Sequence, residues 1–317
     1  MTTLLIIGGT GFFGKSFIDS FGRGMLDKWS VTKILIISRD PRNLSVEAPE
    51  LLDPRIELVA MDIGNAVTLP DADYVIHAAA STNAARYLSQ PSLERANIQS
   101  GISNYVKLAT KFHKNSKILY VSSGAIYGVG LNETSGFNED CVGGNLDLIP
   151  IGKRDYAAAK IDAENCMREL GESGLQVAIG RCFAFVGPYL PRNQHFAVGN
   201  FIGDGLSRRN IKVSARHLVY RSYMHADDLV EWLMTLCSAA SSACPIYNVG
   251  SDEVIEIGQL AHNVAKFFGV TVEISQDRLS EFDFYVPKIE KAKKNLGLRL
   301  KYTLAESLNS TITRLLK

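Results

Sequence analysis

The chain has 317 residues, enough for one large domain or two modest ones, and its 46% hydrophobic and 21% charged residues are those of an ordinary globule. A formal net charge of +1 gives no signal for a nucleic-acid or membrane partner. The cysteines at 141, 166, 182, 237 and 244 are odd in number and form no Cys-x-x-Cys, so neither a disulfide framework nor a metal site is indicated. No basic stretch precedes residues 4–7 and no apolar run reaches the ~18 residues of a membrane span, so the expected compartment is the reducing cytoplasm.

The first element is Leu4-Leu5-Ile6-Ile7, a short unbroken apolar run of the kind buried on both faces of a parallel sheet. It flows into Gly8-Gly9-Thr10-Gly11-Phe12-Phe13-Gly14 and a helix opening at Lys15-Ser16-Phe17-Ile18. The glycines differ in what they do. Gly8 turns the backbone, Gly11 admits a pyrophosphate, and Gly14 lets helix and strand pack closely. The helix N-terminus, with Phe12 and Phe13, offers unpaired N–H groups to phosphate, so the stretch predicts a dinucleotide site.

Residues 33–38 predict a second strand. Where a ribose 2′-hydroxyl would call for an acidic residue stands Ser38-Arg39, with Asp40 behind. Arg39 can pair with a 2′-phosphate, which favours NADP over NAD; the alternative leaves Arg39 solvated and gives the ribose to Asp40. A third strand, 56–61, ends at Asp62-Ile63, a carboxylate for the adenine amino group and an apolar side chain for its ring, unless Asp62 caps a turn. Residues 74–77 predict a fourth strand running into Ala78, Ala79 and Ala80, small enough to admit cofactor. His77 at its end reads as a structural hydrogen-bonder.

Residues 97–111 have helical spacing, with apolar positions at 98, 102, 106 and 109. The strand 117–121 follows and ends at Ser122-Ser123-Gly124-Ala125. Alternation of this kind predicts an α/β fold with a doubly wound parallel sheet, ligands sitting beyond the strands' carboxyl ends. Residues 129–150, with Gly130, Gly136, Gly143, Gly144 and Pro150, read as a loop bordering the site. At Tyr156-Ala157-Ala158-Ala159-Lys160 a helix begins whose four-residue step puts phenol and ammonium on one face. A nearby ammonium lowers a phenol's pKa, so Tyr156 is the expected general acid or base, with Ser123 bonding the same substrate oxygen.

These residues together resemble the extended short-chain dehydrogenase/reductase superfamily, in its branch of nucleotide-sugar epimerases, dehydratases and reductases. The likeness runs nearly end to end, returning in residues 181–188, 221–229 and 247–250. It implies a Rossmann domain over 1–185, completed at about 220–250, and a smaller, mixed substrate-binding portion over 186–317. It also implies Ser123, Tyr156 and Lys160 as the catalytic set, Lys160 on the nicotinamide ribose, and Asn97 on the cofactor side. Asn200 would touch the sugar nucleotide and Arg221 its diphosphate. Arg208 and Arg209 read as solvated charges.

The dehydratases of this branch carry an Asp-Glu pair where Gly124-Ala125 stands here, and neither of those residues can move a proton. With Arg39, this predicts an NADPH-dependent reductase of a nucleotide-activated 4-keto-6-deoxy sugar, an enzyme of deoxysugar and surface-polysaccharide biosynthesis by resemblance. An NAD-dependent C4 epimerase and a non-catalytic NADP-binding sensor or scaffold remain alternatives. A homodimer is expected by analogy alone.

Overall fold

The apolar run at residues 4–7 lies in the middle of a sheet. In a computed structural model, which describes residues 2–80, 89–130, 134–141, 146–149, 151–275 and 282–317, Thr2–Ile7 forms β1, with its last four residues fully buried. Val31–Ser38 (β2), Ile56–Ala60 (β3), Tyr74–His77 (β4), Lys117–Ser123 (β5) and Gln176–Cys182 (β6) pair with it in the order β3-β2-β1-β4-β5-β6. All five of these pairings are parallel, and the strand Ile246–Val249 completes a seven-stranded sheet beside β6. The order reverses at β1, whose neighbours are β2 on one side and β4 on the other; this switch point is where a doubly wound sheet opens a crevice for ligands. This is the expected α/β class.

The helices follow from the sequence's apolar spacing. Phe12–Gly22 (α1) buries Phe17, Ile18 and Phe21, and the short Arg42–Glu47 (α2) follows β2. Pro91–Phe112 (α3) starts six residues earlier than the spacing suggests, because Pro91 suits the first turn, where no N–H is needed. Ile151–Glu172 (α4) likewise begins five residues before Tyr156. Asp162 of α4 accepts hydrogen bonds from Gln99 (2.8 Å) and Arg95 (3.3 Å) of α3. Under the two helices lies one core. Leu5, Ile7, Val75, Ile118, Val177 and Ile179 of the sheet meet Ile98, Ile102 and Tyr105 of α3 and Ala159, Ala163 and Met167 of α4. Each buried Ile or Leu contributes about 1.5–3 kcal/mol.

The chain divides into two compact units that interleave along the sequence. The first takes Met1–Ile126, Pro150–Cys182 and Val230–Tyr247; the second takes Tyr127–Ile149, Phe183–Leu229 and Asn248–Lys317. The second unit holds smaller sheets. In one, Leu218–Arg221 lies between Ile255–Glu256, antiparallel, and Phe282–Tyr285, parallel. Asn248, which this unit also holds, is fully buried, accepting from the Tyr127 hydroxyl (2.7 Å) and donating to the carbonyls of Phe137 and Lys288. Of the expected 129–150 loop, Gly143, Gly144 and Pro150 lie outside the described residues. No helix among the described residues is long and apolar enough to cross a membrane.

Candidate active site

The three glycines of the first turn are set apart by what a side chain would meet. Gly8 has φ +86°, donates its N–H to the Ile37 carbonyl (2.8 Å), and would bring a Cβ within 2.6 Å of the Ala79 Cα. It therefore fastens the turn against the strand end at the β1–β4 switch. At Gly14 a Cβ would lie 1.9 Å from the Gly9 carbonyl oxygen, so only glycine lets α1 approach this closely. Gly11 is different. Its hypothetical Cβ meets nothing nearer than the Gly8 oxygen at 3.9 Å, so packing does not require glycine there. It occupies the N-cap of α1 without a side-chain cap, and the first turn, opened by the half-buried Phe12 and Phe13, carries no acidic residue. An open backbone at the N-terminus of a helix, where the dipole is positive, is the kind of turn that suits an anionic group such as a pyrophosphate.

Around that turn, the hydroxyls of Thr10 and Ser38 lie 3.1 Å apart. Arg39 is exposed at the end of β2 and has no partner among the described residues, whereas the Asp40 carboxylate accepts from Arg42 Nε at 3.0 Å. Arg42 thereby holds Asp40 below the usual carboxylate range. Asp62 caps its own turn, accepting from the Gly64 N–H (3.2 Å) and the Asn65 amide (2.8 Å), while Ile63 is turned into the core. Ala78, Ala79 and Ala80 continue from β4, half-buried, with the Ala78 N–H on the Ile7 carbonyl (2.9 Å). Asn97 is exposed on α3. A residue that sequence reasoning missed is Asn104, whose amide donates to the carbonyls of Ile63 and Ala66, both at 2.8 Å, and fixes the Asp62 turn to α3.

Ser123, Tyr156 and Lys160 come together. Ser123 ends β5, its hydroxyl accepts the Ala125 N–H (3.2 Å), and it is hydrogen bonded to the Tyr156 phenol. One turn beyond Tyr156, the Lys160 ammonium is buried and donates to the Val121 carbonyl at 2.9 Å, lying over the rings of Tyr120 (4.9 Å) and Tyr156 (5.8 Å). Burial pushes the phenol up to about 12, against the Ser123 hydrogen bond, which favours the phenolate. Burial also pushes Lys160 down to about 8, opposed by Cys182 and Glu164. The low phenol pKa expected beside an ammonium is not seen here, because desolvation is the largest influence on both groups. His77 is buried and held neutral, at about 3, first by burial and then by the Lys160 charge. Its ring packs edge-on against Tyr105 (4.8 Å), and neither ring nitrogen reaches a partner among the described residues, unlike the hydrogen-bonding part the sequence suggests.

Behind the set lies a buried ion pair. Glu164, one turn past Lys160, accepts from Arg181 at Nη2 (2.8 Å) and Nε (3.0 Å) and from the Ser122 hydroxyl (2.6 Å). The signal for it was present: a charged residue inside an otherwise apolar strand, here Arg181 in β6, requires a buried counter-charge.

In the second unit, Asn200 donates to the Gln194 carbonyl (2.6 Å), and its Oδ1 has no partner among the described residues. Arg221 ends its strand and pairs with Asp283, Nη2 to Oδ2 at 2.6 Å. Arg209 pairs with Asp204, and Arg208 donates to the Phe268 carbonyl.

A glycine-turned parallel sheet with a Ser–Tyr–Lys set at its strand ends defines the class of extended short-chain dehydrogenases/reductases. Within it, residues 4–250 match the model of the NAD dependent epimerase/dehydratase family, and the chain belongs to that family. Its relatives include UDP-glucuronic acid decarboxylase 1 of Xenopus tropicalis, 27% identical over 98% of this chain and 71% of the relative. UDP-glucuronic acid decarboxylase 5 of Arabidopsis thaliana is 27% identical over 96% of this chain and 86% of the relative. Among solved structures, a dTDP-glucose 4,6-dehydratase of Streptomyces venezuelae with NAD bound superposes with a TM-score of 0.79 at 20% identity, over 98% of this chain and 96% of the other. The epimerase Mth375 of Methanothermobacter thermautotrophicus gives 0.81 at 20% identity, over 98% and 91%. These superpositions establish the shared fold.

Proposed function

We propose that this chain is an NADPH-dependent reductase of a nucleotide-activated 4-keto-6-deoxy sugar. The observation that carries it is the end of β2, where Arg39 is exposed and unpartnered among the described residues while the neighbouring Asp40 carboxylate is tied to Arg42. That arrangement suits a ribose 2′-phosphate and gives a 2′-hydroxyl no carboxylate at hand. The relatives' names place sugar-nucleotide chemistry in the family, and Gly124-Ala125 offers no carboxylate for loss of water.

The glycine turn with Phe12 and Phe13 would hold the pyrophosphate, and the exposed Asp62 would meet the adenine, with Ile63 packed in the core behind it. Ala78, Ala79 and Ala80 leave room for the cofactor, and Asn97 and Lys160 would bond on its nicotinamide side. When bound, NADPH supplies the hydride that reduces the keto carbon. Ser123 holds the keto oxygen and Tyr156, protonated at neutral pH, donates its proton to it; the Lys160 ammonium then stabilises the phenolate left behind. In the second unit, Asn200 and Arg221 would take the sugar nucleotide and its diphosphate.

A second reading, an NAD-retaining C4 epimerase, draws on the dehydratase and the Bordetella bronchiseptica enzyme WbmF, which were solved with NAD or NADH. Absorbance at the reduced-nicotinamide band, with a nucleotide 4-keto-6-deoxyhexose and either NADPH or NADH, separates the two. Stoichiometric loss of NADPH supports the reductase. No net loss, with NAD carried through purification, supports the epimerase, and cofactor binding without any turnover supports a sensor.

A further inference from the structure

We propose that Asp283 sets the anion affinity of Arg221 by competing with the incoming diphosphate for the same guanidinium fork. The proposal rests on the nucleotide-sugar reading above and names a residue that neither the sequence pattern nor the family match singles out.

The pairing is built by the sheet. Phe282–Tyr285 runs parallel to Leu218–Arg221, with Asp283 opposite Val219 and Tyr285 opposite Arg221. From the strand end, the Arg221 side chain reaches back along its neighbour. Nη1 donates to the carbonyls of Tyr220 (2.8 Å) and Asp283 (3.4 Å), Nη2 donates to the Asp283 carboxylate (2.6 Å), and the cation lies 5.5 Å from the centre of the Tyr285 ring. The main-chain bonds and the ring aim the guanidinium. Among the described residues, the Asp283 carboxylate is what neutralises it.

A guanidinium reads a phosphate best through two parallel N–H donors. Among the described residues, Nε and one proton of Nη2 are without an acceptor, and Asp283 holds the other Nη2 proton. A phosphate seated on that Nε–Nη2 edge therefore sits beside a carboxylate. It must drive Asp283 off or bind against its negative charge. The side chains are 24% and 23% exposed, so the pair is accessible to solvent and exchangeable, unlike the sealed Glu164–Arg181 pair. An uncharged ligand gains nothing by opening it.

Titration calorimetry of the full chain with UDP and dTDP, and with uridine and thymidine as uncharged controls, tests this. Asp283→Asn keeps the shape and a hydrogen-bond acceptor but removes the charge. It should tighten whichever diphosphate binds by roughly tenfold, leave the nucleosides unchanged, and lose its effect when combined with Arg221→Gln. Unchanged diphosphate affinity in Asp283→Asn, with the wild type binding, overturns the competition and leaves the nucleotide-sugar reading standing. Weaker binding in both Asp283→Asn and Asp283→Ala, with thermal midpoints unchanged, also overturns it, because Asp283 would then be orienting Arg221. If neither the wild type nor Asp283→Asn binds either diphosphate, the nucleotide-sugar reading itself falls.

Discussion

Ser122 and Glu164, on β5 and α4, are joined by a buried 2.6 Å hydrogen bond, and each stands next to a residue of the proposed catalytic set: Ser122 precedes Ser123, and Glu164 follows Lys160 by one turn. Through Arg181 the same carboxylate reaches β6, so three elements are clamped directly behind the proposed catalytic set. Breaking a buried pair from one side leaves the other charge uncompensated, at a cost of about 3–5 kcal/mol. Glu164→Gln should therefore lose about that much in urea unfolding. Ser122→Ala, which spares the pair, should lose about 1 kcal/mol. A loss under about 1 kcal/mol in Glu164→Gln would mean that Arg181 finds another partner or water.

The glycine turn makes a paired prediction. Gly14→Ala drives a methyl to 1.9 Å from the Gly9 oxygen and must displace α1, so both thermal stability and dinucleotide affinity should collapse. Gly11→Ala places its methyl in open space. Stability should change by less than about 1 kcal/mol, while NADPH fluorescence titration shows affinity falling at least tenfold. Equal affinity in Gly11→Ala and wild type would remove the pyrophosphate from that spot.

Much of this was legible in advance, for reasons that can be traced. Residues 4–7 and 34–37 suit buried strands, since each is a short unbroken run of Leu and Ile too brief for a helix and followed closely by turn residues. Tyr156 and Lys160 share a face because helical spacing is local. What escaped was long-range or collective. Arg221 and Asp283 are 62 positions apart and meet only through sheet register, and Asn104 gives no local sign that it binds the Asp62 turn. The direction of the Tyr156 shift depends on how much water the fold excludes, which no spacing encodes.

Arg39 should decide between the cofactors. Its exposed guanidinium offers a 2′-phosphate charge-assisted hydrogen bonds of about 1.5–3 kcal/mol. Arg39→Ala should weaken NADPH binding tenfold or more and leave NADH binding unchanged, as followed by fluorescence titration. If both cofactors weaken alike, Arg39 does not read the phosphate.

The last prediction turns on which group of the catalytic set titrates first. Tyr156, at about 12, keeps its proton across the working range, whereas Lys160, at about 8, loses its charge within it. If the rate needs the ammonium to stabilise the departing phenolate, kcat/KM, which reports the free enzyme, should fall above about pH 8. The groups facing Lys160 are Tyr156 and Glu164 on its own helix, Tyr120 on β5, Cys182 on β6 and His77 on β4. Of these, Cys182 and Glu164 raise its pKa, and His77 stays neutral; burial pushes the Cys182 thiol up to about 12, so Glu164 is the partner charged near pH 8. Glu164→Gln, where enough folded protein is recovered, should move the limb to lower pH, and Tyr156→Phe should lower kcat by about 10²–10⁴ while NADPH still binds. A limb that begins only above pH 10 would place the Lys160 ammonium in water. A limb that stays at 8 in Glu164→Gln would assign it to a group other than Lys160.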